Sequence, residues 1–282
     1  MTGFINVNKK QGESSAKEVS KIKRISGVPC GHMGTLDPMA SGVLPVALGN
    51  AARLFDYFLN KTKTYVATFR FGEDYDTLDT TGTLINSGGR VPAVSEIKAV
   101  IPDLVGEILQ MPPKYSAKNI NGKRGYQLAR SGVEFELSPK KVNINSILLL
   151  NQLDENSFSF EIECGGGTYI RAIARDMAKK LDTFAAMSAL IRTKSGPFVI
   201  ENAVDSDILN GENVRDYVIS SDSLLPFDSI IADGTIAKRI FNGLGAPSER
   251  ADGTYKIYKE DGSFYGLAAV ESGVLKVRTK LC

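Results

Sequence analysis

The stretch Cys30-Gly-His-Met-Gly-Thr-Leu-Asp-Pro-Met-Ala-Ser-Gly-Val-Leu-Pro45 holds one acidic side chain, Asp37, among glycines, prolines and the only histidine of the chain, His32. Three glycines and two prolines within these sixteen residues exclude a regular helix and favour a tightly turning loop. Loops of this kind often carry binding and catalytic groups. Asp37 is therefore the first candidate for chemistry.

Two other interpretations of this stretch stay open on the residues alone. An aspartate before a proline often only starts a turn or caps a helix, which would give Asp37 a purely structural role. Cys30 and His32 suggest a cysteine hydrolase, but no third group that would orient the histidine is evident. Together with Cys164 and Cys282 they form no Cys-x-x-Cys pattern, so neither a zinc site nor a disulfide framework is supported.

The composition is that of an ordinary soluble globular protein. The 282 residues are 43% hydrophobic and 23% charged, enough for one large domain or a large domain and a small one. The apolar runs at 43–48 and 147–150 are far shorter than the roughly 20 residues of a membrane-spanning helix. The first residues also lack the pattern of a signal peptide. We therefore expect a cytoplasmic protein with no membrane partner.

Basic residues cluster in two segments, 9–24 and 111–141, whereas residues 201–222 are acidic. The net charge of +2 is weak evidence for a nucleic-acid partner, because clustering matters more than the total. Such lysines and arginines often only solvate a surface. In the second segment Tyr115 and Tyr126 lie between the cations, and aromatic rings beside cations are typical of sites that stack unpaired bases. The sequence thus favours an RNA partner.

Hydrophobic periodicity predicts helices and strands in an irregular order. We expect helices at 14–26, 95–105 and 169–181 and strands at 65–72 and 158–164. Strands mixed irregularly with helices predict an α+β fold with a mixed, largely antiparallel sheet flanked by helices.

A composition break near residues 220–226 ends an acidic region that we expect to be helical. Beyond it, short strand-like runs are separated by turn signals, which predicts a small β-rich domain. These signals are Asp233-Gly234, Asp252-Gly253 and Asp261-Gly262.

The aspartate stretch belongs to a longer series of motifs. Gly31–Pro45 resembles the signature of the TruB-type tRNA pseudouridine synthases. Related families centre on Arg-Leu-Asp, whereas this chain reads Thr35-Leu36-Asp37, the form that resembles the branch acting on the tRNA TψC loop. Further matching blocks follow in the family's order: Lys61–Tyr65, Gly72–Gly82, Pro112–Lys118 with Gly122, Tyr126, Ala129 and Arg130, Gly167–Arg171 and Leu190–Phe198.

The resemblance covers about residues 4–200, and one departure from the family pattern is visible. Where the family usually reads Lys-Pro-x-Gly, this chain reads Lys9-Lys10-Gln11-Gly12. Loss of the proline removes a fixed φ angle from the loop.

The resemblance implies a domain organisation and a reaction. It implies a pseudouridine synthase catalytic domain at 1–222, with an RNA-contacting insertion at about 111–141, and a PUA-like RNA-binding β-barrel at 223–282. It also implies isomerisation of uridine 55 in the TψC loop of tRNA, with no cofactor and no metal. The expected partner is the tRNA TψC stem-loop. We expect a monomer with no obligate protein partner.

The target base lies in a folded RNA loop and must be flipped out before a side chain reaches it. The resemblance assigns Asp37 as the nucleophile, Arg171 as its cationic partner and Tyr65 as the residue against the flipped uracil, where it would help to remove the C5 proton. Attack on C1′ of the sugar and attack on C6 of the ring both remain open.

The resemblance also assigns residues that hold the substrate. Tyr169 would hydrogen-bond at the pocket, Leu190 would close the opposite side, and His32 would occupy the space that the base leaves. The candidate RNA-contacting residues are Lys9, Lys10, Lys114, Tyr115, Lys118, Lys123, Arg124, Tyr126, Arg130 and Arg192.

Two alternative functions remain. One is an RNA-binding or RNA-folding protein whose synthase site is incidental, and it predicts that Asp37→Asn leaves the main phenotype intact. The other is a synthase that acts on a different structured RNA, which a substrate screen would distinguish.

Overall fold

The computed structural model describes residues 1–59, 61–115, 119–120, 123–124, 135 and 137–281. Three candidate RNA contacts, Lys118, Tyr126 and Arg130, lie outside the described residues. The helices are α1 (Ser15–Ser26), α2 (Phe55–Leu59), α3 (Val94–Val100), α4 (Ile170–Lys180) and α5 (Gly234–Phe241). The strands are β1 (Gly3–Lys9), β2 (Cys30–His32), β3 (Ser41–Leu48), β4 (Lys63–Phe71), β5 (Asp74–Tyr75), β6 (Leu84–Asn86), β7 (Gly106–Gln110), β8 (Asn119–Ile120), β9 (Lys123–Arg124), β10 (Lys140–Gln152), β11 (Ser157–Cys164), β12 (Ala185–Ser195), β13 (Phe198–Val199), β14 (Ser229–Ala232), β15 (Ala246–Pro247), β16 (Gly253–Lys259), β17 (Phe264–Glu271) and β18 (Val274–Lys280).

A nine-stranded mixed sheet forms the larger part of the molecule. Its strand order is β1-β3-β12-β4-β11-β10-β7, with β2 paired to β3 and β13 paired to β12. Its pairs are antiparallel except the junction of β3 with β12, where Ser41 and Gly42 pair with Ile191 and Arg192 in parallel. The predicted α+β fold with a largely antiparallel sheet is confirmed.

The central strands form because apolar residues alternate along them. In β4 every second residue is buried, including Phe69 and Phe71. Their rings contact Phe160 and Phe158 of β11, with centroids 4.8 and 5.6 Å apart. Helix α4 contributes its apolar side to the same core. The predicted strands at 65–72 and 158–164 and the helix at 169–181 are thereby confirmed to within two residues.

Two helix predictions differ in length or type from the structure. The helix expected at 95–105 ends at Val100 and continues as a 3₁₀ turn, Ile101–Leu104, because Pro102 has no N–H for the α-helical ladder. The region 201–222 contains short 3₁₀ turns and no long helix. There Asp205 and Asn210 accept hydrogen bonds from nearby backbone N–H groups, which favours turns over a continuous helix.

The C-terminal strands form a separate five-stranded sheet in the order β14-β16-β17-β18-β15. The end strands β14 and β15 do not pair with each other, so the described sheet is open and not a closed barrel. Asp261-Gly262 makes the expected turn between β16 and β17. The turn expected at Asp233-Gly234 is wrong: Asp233 is the N-cap of α5, because aspartate before a helix is as favourable as aspartate in a turn.

The two sheets share a hydrophobic core. Leu267 and Leu281 from the C-terminal part belong to the same buried cluster as Phe4, Leu54 and Phe58. Side chains of the 3₁₀ turn at 49–54 also donate hydrogen bonds to backbone carbonyls at 280–281, at 2.7 and 3.2 Å. Among the described residues no helix has the length and apolar character needed to cross a membrane.

Candidate active site

Asp37 lies in the loop between β2 and β3, and side chains from other elements hold this loop. The hydroxyl of Ser15, the first residue of α1, donates to Leu36 O at 2.8 Å and accepts from Leu36 N at 2.9 Å. On the other side, Arg192 Nη2 donates to Gly34 O at 3.1 Å. The backbone before Asp37 is therefore fixed from two directions.

Lys9 supports the same loop from inside the protein. Its side chain is fully buried, and its Nζ donates to Lys10 O at 2.9 Å, to Pro38 O at 3.3 Å and also to Ala40 O. Gly12 N adds a hydrogen bond to Pro38 O at 2.8 Å. Burial lowers the pKa of Lys9. Its ammonium is not available to RNA in this structure, in contrast to the sequence-based expectation, because it satisfies carbonyls of the loop.

Lys10, which stands where the family usually has proline, is engaged by two carboxylates. Its Nζ lies 3.0 Å from an oxygen of Asp205 and also pairs with Asp207. The hydrogen bond to Asp207 is the main reason that the pKa of Lys10 is raised. Lys21 pairs with Asp207 as well. An RNA contact by Lys10 would have to compete with these carboxylates.

The guanidinium of Arg171 lies between two carboxylates. Nη2 is 2.8 Å from Asp37 Oδ2, and Nη1 is 3.2 Å from Asp79 Oδ2. Nη1 also donates to Thr77 O at 2.8 Å. The side chains of Arg171 and Asp79 are only 7% and 5% exposed, whereas that of Asp37 is 39% exposed. The arrangement therefore buries the cation and leaves one carboxylate open.

Asp79 is a site residue that the sequence interpretation did not single out. Its Oδ1 accepts hydrogen bonds from the hydroxyls of Thr77 and Thr81, at 2.9 and 2.5 Å, and from Thr81 N at 3.1 Å. The signal was the threonine two residues before and after this aspartate, a spacing typical of local side-chain networks. Asp79 is thus held rigidly against Arg171.

Five of the six predicted catalytic and substrate-binding residues line one pocket of about 540 Å³, and so does the candidate RNA contact Arg192; the five are Asp37, Tyr65, Tyr169, Arg171 and Leu190. Tyr65 and Leu190 are each only 7% exposed and lie on the adjacent strands β4 and β12. Burial raises the pKa of Tyr65, so its phenol is protonated at neutral pH. The pocket thus combines a carboxylate with aromatic and aliphatic walls.

Tyr169 is positioned through its backbone at the start of α4. The side chain of Gln110, itself buried, accepts from Tyr169 N at 2.9 Å and donates to Tyr169 O at 3.2 Å. Gln110 is a second supporting residue that the sequence interpretation missed, since a lone glutamine at a strand end gives no signal.

His32 does not line this pocket. It is half-buried in β2 opposite Val46 of β3, and its Nδ1 is buried without a hydrogen-bond partner among the described residues. Burial, and to a smaller extent the charge of Arg192, lowers the pKa of His32. The imidazole is therefore neutral at pH 7.

Four candidate RNA contacts lie in the described parts of the insertion: Lys114, Tyr115, Lys123 and Arg124. Lys114 is exposed. The hydroxyl of Tyr115 donates to Asp76 Oδ2 at 3.3 Å, and its carbonyl accepts from Arg171 Nη2 at 3.1 Å. Lys123 and Arg124 form β9, which pairs with β8. The start of the insertion is thereby linked directly to the partner of Asp37.

Lys63 is a buried cation at the pocket that the sequence did not reveal. Its Nζ donates to Leu59 O and Lys61 O, both at 2.7 Å. Burial, followed by the charge of Arg192, lowers the pKa of Lys63 to about 8. Arg192 is itself buried and donates from Nε to Val43 O at 2.7 Å. Lys63 and Arg192 therefore both donate hydrogen bonds to backbone carbonyls.

Residues 17–170 match the model of the TruB family pseudouridylate synthase N-terminal domain. The chain belongs to the TruB family. A protein of Clostridium novyi (strain NT) named tRNA pseudouridine synthase B is 36% identical over 289 residues, covering 100% of both chains. Proteins of the same name from Clostridium tetani and Ehrlichia ruminantium are 37% and 41% identical, covering 95% and 74% of this chain and 95% and 71% of theirs.

Solved structures agree with this TruB-family assignment at the level of fold. A Cbf5-Nop10-Gar1 complex matches with a TM-score of 0.72 and 23% identity, over 99% of this chain and 85% of the matched chain. An archaeal box H/ACA Nop10-Cbf5 complex matches with a TM-score of 0.70 and 23% identity, over 99% and 86%. As a TruB-family pseudouridylate synthase, the chain is an isomerase.

The groups of this TruB-family site suit chemistry on a planar ring joined to a sugar. A carboxylate paired with a buried arginine has the chemistry required of a nucleophile, and the phenol and aliphatic walls suit the faces of a base. Among the described residues no group of three or more His, Cys, Asp or Glu side chains is arranged to hold a metal ion.

Proposed function

We propose that this synthase isomerises uridine 55 in the TψC loop of tRNA to pseudouridine, with Asp37 as the nucleophile that acts on a flipped-out base. The substrate follows the name shared by the relatives, tRNA pseudouridine synthase B. One observation carries the assignment of the nucleophile: Asp37 Oδ2 lies 2.8 Å from Arg171 in the pocket that Tyr65 and Leu190 line.

The reaction is an isomerisation, so uridine and pseudouridine have the same composition. The bond from N1 to C1′ breaks, the bond from C5 to C1′ forms, C5 loses a proton and N1 gains one. The step is redox-neutral, so it requires no oxidant or reductant. Asp37 attacks either C1′ or C6 of the ring, and the ion pair with Arg171 orients the carboxylate for either route.

Each wall of the pocket has a task in this proposal. Tyr65 and Leu190 hold the two faces of the uracil, and the hydroxyl of Tyr169 contacts its edge. The raised pKa of Tyr65 supports stacking more directly than proton removal, because the phenol must first lose its own proton before it accepts one. His32 fills the space in the RNA loop that the flipped base leaves.

Two further parts of the chain bind the rest of the tRNA. The insertion at 111–141 closes over the TψC loop, which its basic and aromatic residues support. The segment 223–282 acts as a PUA-like RNA-binding domain, although its described sheet is open. The protein works in the cytoplasm as a monomer without an obligate protein partner.

The proposal is tested by mapping pseudouridine in an unmodified tRNA transcript with carbodiimide labelling and primer extension. Wild type, Asp37→Asn and the exposed control Asp103→Asn are compared. We expect a stop at position 55 with wild type and with Asp103→Asn and no stop with Asp37→Asn. A stop at another position overturns the substrate. Tight tRNA binding without any stop favours an RNA-binding protein over an enzyme.

A further inference from the structure

Lys140, the first residue of β10, lines the same pocket as Asp37 and Arg171 and has no role in the account given so far. Its Nζ lies over the glycine turn between β11 and α4: a Cβ added at Gly167 would come within 2.9 Å of it. Because Gly167 has no side chain, the ammonium has room at the pocket mouth.

The neighbouring lysine has a different environment. Successive residues of a strand point to opposite faces of the sheet, and Lys141 pairs with Glu107 of β7 at 2.7 Å. In the described part of the chain no carboxylate pairs with Lys140. The two adjacent lysines therefore differ in the face of the sheet on which they lie and in whether a carboxylate pairs with them.

Four cationic side chains line the pocket: Lys63, Lys140, Arg171 and Arg192. Arg171 is paired with Asp37 and Asp79. Lys63 and Arg192 direct their N–H groups to backbone carbonyls. Within the described residues, Lys140 is thus the pocket cation whose donors are left for a ligand.

We propose that Lys140 binds a phosphate of the RNA backbone next to the flipped nucleotide. This inference rests on the proposed function, because only a nucleotide inside the pocket places its phosphates at the mouth. When a base leaves its stack by rotation of the backbone, the flanking phosphates must be held in the new position. An ammonium on a flexible stem binds such a phosphate as a point charge.

The test measures binding and single-turnover rates on an RNA stem-loop that contains the uridine converted by wild type. Each phosphate flanking that uridine is replaced in turn by a neutral methylphosphonate. We expect one of the replacements to weaken wild-type binding about five- to tenfold. On unmodified RNA we expect Lys140→Ala to weaken binding by the same factor and to lower the salt dependence by about one phosphate contact. In Lys140→Ala the same replacement should have no further effect on binding.

Lys141→Ala is the matched control and keeps the full methylphosphonate effect, while Lys140→Arg restores most of the binding. Lys140 is exposed, so its removal leaves the fold intact, which circular dichroism checks. Equal binding by Lys140→Ala and Lys141→Ala, or a methylphosphonate effect that adds fully to Lys140→Ala, overturns the inference. If wild type converts no uridine at all, the proposed function fails, and the inference fails with it.

Discussion

The two carboxylates that flank Arg171 differ in exposure and therefore in task. Asp37 is 39% exposed and opens into the pocket, whereas Asp79 is 5% exposed and is bound by two threonines. A buried guanidinium needs compensating negative charge. In the proposed mechanism Asp79 stays beside Arg171 when Asp37 leaves it to react. We therefore expect Asp79 to act as a positioning residue.

Asp79→Asn tests this division of tasks. The change keeps the shape but removes the charge behind Arg171, so we expect a single-turnover rate about 10- to 100-fold lower and a free energy of unfolding about 2 kcal/mol smaller. The dissociation constant for tRNA should change less than threefold. Asp103→Asn, which removes an exposed carboxylate, is the control. A rate within twofold of wild type would show that Asp79 does not position Arg171.

The lowered pKa of Lys63 makes the free energy of unfolding increase with pH above about pH 8. Its pKa is about 8 in the folded protein and 10.5 as the ordinary value, so between these the unfolded chain binds a proton that the folded protein lacks. The free energy of unfolding therefore rises with pH across this window. Cys164, with its pKa raised from 9.0 to about 11 by burial, acts in the opposite direction above pH 9.

Between pH 8 and 9 the contribution of Lys63 is therefore separated from that of Cys164. Urea unfolding of wild type and Lys63→Met at several pH values isolates the contribution of Lys63. We expect the stability of wild type relative to the variant to increase by up to about 1 kcal/mol across this range. Parallel pH profiles for the two proteins would mean that Lys63 keeps its ordinary pKa.

At the scale of elements, local sequence patterns predicted most of the helices and strands that we expected. Alternation along β4 and the helical spacing along α4 were readable because each depends on its own residues. Helix α5 was missed because Asp233-Gly234 is equally suited to a turn. The aspartate and arginine of the site were readable through their family motifs. The supports Ser15 and Gln110 were not, since contacts between distant segments leave no local pattern, and at Asp79 the flanking threonines gave only a local signal.

The backbones of β3 and β12 approach closely at their parallel junction. Gly42 has a φ of +97°, and a Cβ there would lie 2.4 Å from Arg192 O. The substitution Gly42→Ala forces two strands apart beside the Asp37 loop. We expect a loss of about 2–4 kcal/mol in the free energy of unfolding, measured with urea.

Gly31→Ala is the control for that change, because Gly31 lies in the neighbouring β2 and nothing lies within 4 Å of an added Cβ. It should alter stability by less than about 1 kcal/mol. Equal effects of the two substitutions would contradict the close approach of β3 and β12.

At the scale of the whole molecule, one buried cluster joins the two sheets. Leu267 is 7% exposed and packs in the same cluster as Phe4 and Leu54 of the larger part. We therefore expect Leu267→Ala to lower stability by about 2–3 kcal/mol in a single transition of the entire chain. Urea unfolding followed by circular dichroism and tyrosine fluorescence measures this.

Leu244→Ala is the matched control in the same C-terminal part. Leu244 is 56% exposed, so its truncation should change stability by less than about 0.5 kcal/mol. Two separate transitions, with only the first shifted by Leu267→Ala, would show that the C-terminal part unfolds independently.

The most direct test of the whole account is a single-turnover assay of tritium release from tRNA labelled at C5 of uridine, with enzyme in excess over tRNA. Wild type and Asp37→Asn are compared, and filter binding measures tRNA affinity in parallel. We predict a rate at least about a thousandfold lower for Asp37→Asn, with affinity within a few fold of wild type. Tritium release by Asp37→Asn at a rate near that of wild type would contradict the central claim that Asp37 is the nucleophile.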